Sequence, residues 1–215
     1  DLPITINNAE AELNLIYVDD VCNNFLRLLD PTIVNSKVSE VSPIYKTTVG
    51  KVVELLKKFK SSRNSLITEK VGTEFTRALY ATYVSYLEPE QFSYSVTRHG
   101  DDRGIFVEML KTQDSGQFSF FTAHPGITRG GHYHHTKTEK FLIIKGSASF
   151  KFKQIVTGDF YELLVNGEES KIVETAPGWS HDITNVGSDE MIVMLWANEV
   201  FDRENPDTVS FKVKE

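Results

Sequence analysis

The sequence predicts a two-part α+β chain: a mixed α/β segment over residues 1–88, then an all-β sandwich or barrel over 89–215. Three observations carry this. Apolar residues in the first part recur at helical spacing behind polar caps. From about Gln91 the pattern becomes short alternating runs separated by Gly, Asn and Asp. Pro89, in Glu88-Pro89-Glu90, stands where one pattern gives way to the other.

In the first part, 13–18 (Leu-Asn-Leu-Ile-Tyr-Val) reads as a short extended run. Asp19 or Asp20 caps a helix through Leu29, and Pro31 follows its end. Residues 40–45 read as a strand. Thr48 caps a second helix over 49–60, with Val52, Val53, Leu55, Leu56 and Phe59 on one stripe. A third helix is predicted over 73–87, ended by Pro89. In the second part, strands are predicted at 92–98, 104–111, 117–124, 140–145, 148–155, 159–165, 170–174, 181–185, 190–197 and 209–213. About ten short strands at this spacing indicate a sandwich or barrel.

Composition bounds the function. The 215 residues are 40% hydrophobic, 25% charged and 11% aromatic, ordinary for a globular chain with a core. A net charge of −7 argues against a general nucleic-acid or anionic-membrane binder. No apolar run approaches a membrane span and no signal peptide is seen. One cysteine, Cys22, excludes an intrachain disulfide framework and fits a reducing cytoplasm. The chain opens at Asp1, inside what reads as a loop, which points to a piece of something longer.

The chemistry is concentrated in Gly126-Ile-Thr-Arg129-Gly-Gly-His132-Tyr-His134-His-Thr-Lys-Thr-Glu139-Lys-Phe-Leu-Ile-Ile-Lys-Gly146. Residues two apart on a strand share a face, so His132 and His134 lie roughly 7 Å apart at Cα on one side. A turn brings Glu139 beside them, and His181 of Gly178-Trp-Ser-His181-Asp-Ile-Thr-Asn185 supplies a fourth group. Three imidazoles and one carboxylate suit a Zn, Fe, Mn or Ni dication.

This spacing resembles the first cupin motif, and the Gly178 to Asn185 stretch resembles the second, with Pro177 directly before Gly178 as a departure. The resemblance implies a cupin jelly roll, a Zn²⁺ or other divalent ion on His132, His134, Glu139 and His181, and a homodimer formed through this domain. Leu15-Ile-Tyr-Val-Asp-Asp-Val21 and Thr48-Val-Gly-Lys-Val-Val-Glu resemble the C-terminal part of extended short-chain dehydrogenase/reductases. No Gly-rich dinucleotide fingerprint accompanies them, and the Tyr-x-x-x-Lys pair occurs only as Tyr133 and Lys137, inside the metal motif. NADPH would therefore belong to a full-length protein and not to this segment.

A reductase tail leading into Gly100-Asp-Asp-Arg-Gly104, Phe118 to Gly126 and Thr128 to His134 is similar to the CapF family of capsular polysaccharide synthesis enzymes. That resemblance implies a UDP-linked 4-keto-6-deoxy-N-acetylhexosamine substrate, on the way to UDP-N-acetyl-L-fucosamine. The cupin half would epimerise C3 and the reductase half reduce C4. Arg129-Gly-Gly-His132 also resembles the Arg-Gly-x-His of sugar-nucleotide 3,5-epimerases, which implies a diphosphate contact for Arg129. The sequence names no acid or base. Two other readings stay open: a metal cupin of another activity, and a non-catalytic dimerising or sugar-binding module.

Overall fold

The structure, a computed structural model, describes residues 4–30, 32 and 40–213. It divides into two compact units at Tyr94/Ser95.

The first unit holds strand β1 (Glu12–Leu15), helix α1 (Val18–Leu28), strand β2 (Tyr45–Thr48), helix α2 (Val49–Ser65), the short strand β3 (Ile67–Thr68), helix α3 (Glu74–Ser85) and a 3-10 turn at Pro89–Gln91. β1 and β2 pair antiparallel. Asp19 and Asp20 lie inside the first turn of α1, with Tyr17 as its N-cap, so their charge faces the helix's positive end but no side chain caps it. Residues 40–44 are not a strand: Pro43 has no N–H to give a ladder, and pairing starts at Tyr45. Thr48 does cap α2, its Oγ accepting from Lys51 N at 3.2 Å, and the helix runs on to Ser65. Phe59 of α2 is buried between Tyr80 and Tyr83 of α3, at ring distances of 5.0 and 5.7 Å. Pro31 lies outside the described residues.

The second unit comprises β4 (Arg98–Asp101), β5 (Gly104–Thr112), β6 (Gln117–Ala123), β7 (Thr128–Tyr133), β8 (Glu139–Lys145), β9 (Ser147–Gln154), β10 (Phe160–Asn166), β11 (Ile172–Glu174), β12 (Trp179–Asn185), β13 (Met191–Ala197) and β14 (Val209–Ser210). Residues 92–97 are not a strand; β4 instead forms a hairpin with β5 across the Asp102-Arg103 turn. One antiparallel sheet orders its strands β10-β9-β12-β7-β14. In the other, β11-β8-β13-β6-β5 are neighbours and β4 pairs with β5. The inward side chains of both sheets form one apolar core around Phe121, Phe141, Phe150, Ile183, Met191 and Val193. This is a cupin jelly roll. Each fully buried large apolar side chain contributes roughly 1.5–3 kcal/mol. No helix among the described residues is long and apolar enough to cross a membrane.

Candidate metal centre

Among the polar residues buried with that core are three imidazole and carboxylate side chains, His134, Glu139 and His181. His132 lies on β7, directly opposite His181 of β12, and their rings are 4.7 Å apart. His134 follows the end of β7, 5.0 Å from the His132 ring. Glu139 opens β8 in the opposite sheet. One ligand atom from each of the four lies within 4.8 Å of all the others. His134, His181 and Glu139 are buried, at 2%, 2% and 5% exposure, and His132 is half-buried.

The hydrogen bonds show why this set fits a cation. His134 Nδ1 bonds the backbone carbonyl of Asp207, which only accepts, so Nδ1 carries the proton. In the neutral ring Nε2 is then a bare lone pair, yet it faces Glu139 Oε2, another acceptor, at 3.2 Å. His181 Nε2 approaches the same oxygen at 3.3 Å. Acceptors converging on one buried point need a proton or a metal cation between them, and three imidazoles with one carboxylate are donors for a divalent transition ion. Burial raises the Glu139 pKa, but the adjoining His134 and His181 rings and the nearby Lys137 ammonium outweigh it and hold the carboxyl well below its usual range. Burial, reinforced by His181, pushes His132 down to about 4, which keeps this imidazole neutral and able to ligate.

Asp207 is a residue that sequence reasoning missed. Its carboxylate accepts the backbone N–H of His135, Thr136 and Lys137 at 2.9, 2.7 and 2.9 Å, and the Thr136 hydroxyl at 3.1 Å. The same segment is held down by β14 pairing with β7 and by Phe211 N donating to Gly131 O. A C-terminal strap thus pins the turn that carries His134. Nothing local in the sequence links position 207 to 135.

Arg129 reaches the barrel interior through a break in alternation. The β7–β12 register shifts beside His181/Asp182: His132 pairs with His181, while Gly130 pairs with Asp182. One residue of the Gly130-Gly131 pair is therefore extra, and Arg129, opposite Ile183, falls on the same face as His132. Gly130 has φ +107°, and a Cβ there would lie 2.5 Å from His181 O. Arg129 donates Nε–H to Thr122 O at 3.1 Å and lies 5.2 Å over the Phe121 ring. Burial, with Arg103 nearby, lowers its pKa against the opposing pull of Asp101.

Beside Glu139 opens a cavity of about 360 Å³, lined among others by His99, Phe106, Glu108, Gln117, Lys137 and Phe201. His99 of β4 is exposed and borders this cavity. Lys140 points away from it, paired with Glu174. Tyr133 and His135 meet edge to face at 5.3 Å, and Trp179 packs on the core. His124 is an exposed loop residue.

Comparison with known proteins gives the chain its family. The polysaccharide biosynthesis C-terminal domain family matches residues 99–209. A curated relative, UDP-2-acetamido-2,6-beta-L-arabino-hexul-4-ose reductase of Pseudomonas aeruginosa, is 61% identical over the whole chain, which spans 58% of its length. The crystal structure of the capsular polysaccharide assembling protein CapF from Staphylococcus aureus superimposes with a TM-score of 0.92 at 39% identity, covering 98% of this chain and 57% of that one. A CapF structure with the inhibitor 3-isopropenyl-tropolone gives the same TM-score and identity, over 98% and 61%. The chain thus spans about three fifths of these relatives, and it belongs to the polysaccharide biosynthesis C-terminal domain family.

Proposed function

We propose that the second unit is the epimerase half of a UDP-sugar enzyme of capsular polysaccharide synthesis, acting at C3 of a UDP-linked 4-keto-6-deoxy-N-acetylhexosamine. The first unit is read as the C-terminal part of the reductase half, whose nucleotide-binding portion would use NADPH in a longer protein. The curated relative is named for a 4-keto UDP-sugar, the substrate class such an enzyme needs. Exposed Phe25 and Leu26 on α1, with Leu29 at its C-cap, suit a helix that packs on a further layer.

The observation that carries the reading is the buried His132, His134, Glu139 and His181 cluster beside a polar cavity that reaches Glu139. These four residues would hold Zn²⁺ or a similar dication, which when bound polarises a ketone oxygen and acidifies the neighbouring C–H. The chain supplies the rest. The cavity offers Phe106 and Phe201 for the sugar's apolar faces and Glu108, Lys111 and Gln117 for its hydroxyls. Arg129, partly desolvated, would take the diphosphate bidentately. Replacing it with Met should weaken UDP binding about 10–100-fold, the loss of a charge-assisted hydrogen bond.

The test is solvent deuterium entry at C3 of the keto sugar. Metal-loaded protein exchanges it, and chelated protein does not; undiminished exchange after complete metal removal would reject the reading. We further propose a homodimer through the outer face of β8, β13 and β6, where Phe118, Leu142, Ile172, Met194 and Trp196 line an apolar groove. Met194→Asp should convert a dimer to a monomer in analytical ultracentrifugation. A monomeric wild type rejects that proposal.

A further inference from the structure

Glu139 uses its two carboxylate oxygens differently. Oε2 faces the imidazole nitrogens of His134 and His181, at 3.2 and 3.3 Å. Oε1 is 3.1 Å from the Lys137 ammonium. That lysine is 8% exposed, an uncommon place for an ammonium. Two further contacts fix it. Its backbone N–H is bonded to Asp207 at 2.9 Å, and its ammonium lies 5.7 Å over the Phe201 ring. Lys137 and Glu139 line the same cavity. A flexible four-carbon side chain is thereby held at one oxygen of a metal-ligand candidate, on the side from which a ligand in the cavity arrives.

We propose that Lys137 is a positioning residue that reserves Oε1, so that Glu139 offers the metal one oxygen and not two. The inference rests on the metal-centre reading above. The protein donor count is then four, three nitrogens and one oxygen. An ion able to take five or six donors keeps room for oxygens of the bound molecule. The ligand class this favours is an α-hydroxyketone, whose carbonyl and neighbouring hydroxyl oxygens bind side by side; a C3-hydroxy, C4-keto sugar carries that pair. Without the ammonium, Oε1 is free to turn to the cation and close a position.

The full chain is loaded with Zn²⁺ or Co²⁺ and compared with Lys137→Met and Lys137→Gln. X-ray absorption at the metal edge should show a one-oxygen carboxylate in the wild type and an added oxygen neighbour in both variants. Titration of the Co²⁺ visible band with hydroxyacetone should show about tenfold weaker binding in the variants. Lys137→Arg, which keeps a cationic donor, should recover part of the loss. A two-oxygen carboxylate in the wild type overturns the proposal without any variant, so a poorly folding variant does not rescue it. Unchanged metal neighbours and unchanged hydroxyacetone affinity in metal-loaded Lys137→Met overturn it as well. A wild type that takes up no metal overturns the metal-centre reading instead, and this proposal with it.

Discussion

Asp207→Ala tests whether the C-terminal strap builds the metal centre. The substitution deletes a carboxylate that accepts three backbone N–H groups and one hydroxyl at 2.7–3.1 Å. Two of the freed donors, on His135 and Thr136, are exposed and regain water, so they cost little. The Lys137 N–H belongs to a buried residue and loses a charged acceptor, worth about 1.5–3 kcal/mol. The net loss is set near 2–3 kcal/mol, or roughly 8–12 °C in midpoint at about 4 °C per kcal/mol for a unit this size. Both tryptophans, Trp179 and Trp196, lie in the second unit, so intrinsic fluorescence reports its unfolding alone. Metal affinity should fall about 10–100-fold because the turn holding His134 loosens. The stabilisation also has a pH signature. Burial raises the Asp207 pKa, but the backbone bonds from His135, Lys137 and Thr136 prevail and depress it. The carboxylate's contribution is thus complete above its unfolded value near 3.9 and disappears as pH falls through the folded one. The gap between wild type and Asp207→Ala should be flat above about pH 5 and close in acid. A midpoint within 2 °C of wild type and an unchanged metal affinity would refute the strap's role.

Metal removal should lower the fluorescence midpoint of the second unit. A ligand at about 100 times its Kd contributes roughly 2.7 kcal/mol, so a midpoint that ignores both chelator and added Zn²⁺ counts against the site. In the metal-free protein His132 titrates near pH 4 when folded against 6.5 when unfolded. Between those values the unfolded chain binds more protons, so stability should decline as pH drops from 6.5 toward 4, and His132→Gln should flatten that slope in urea titrations. Gly130→Ala places a Cβ 2.5 Å from His181 O at a φ of +107°. It should cost about 1–3 kcal/mol in urea unfolding and weaken UDP binding through the displaced Arg129; wild-type stability with wild-type UDP affinity would show that the bulge is dispensable.

What could be read from the sequence depended on how local its cause was. Periodicity exposed the change from helix to strand, because helical stripes and alternating runs are local patterns. The 40–45 segment misled because its apolar residues alternate while Pro43 withholds a ladder donor. His132, His134 and Glu139 could be named together because they lie within eight residues of one another, and the structure brings His181 to them as the partner of His132 across β7 and β12. Arg129 resisted placement because strict alternation puts it opposite to His132; only the Gly-Gly bulge reverses that, and a pair of glycines was the available signal. Lys137 and Asp207 were illegible in their roles because both depend on a segment 70 residues away in sequence crossing the same turn.

The placement of the four candidate ligands also says where the centre's mechanical consequences fall. His132 and His181 belong to the sheet containing β7 and β12, whereas Glu139 starts β8 in the other sheet. His134 sits on the connection between them, the stretch that Asp207 clamps. A dication held at their common point would therefore tie the two sheets together, and its binding energy would become folding energy of the barrel mouth. The cavity opens on the Glu139 and Lys137 side of this tie, while His134 and His181 are buried behind it. A molecule entering the cavity thus meets the carboxylate and its ammonium first. On the metal-centre reading that arrangement would give Glu139 two tasks with opposite demands, holding an ion and leaving space beside it, and the lysine on its second oxygen would reconcile them.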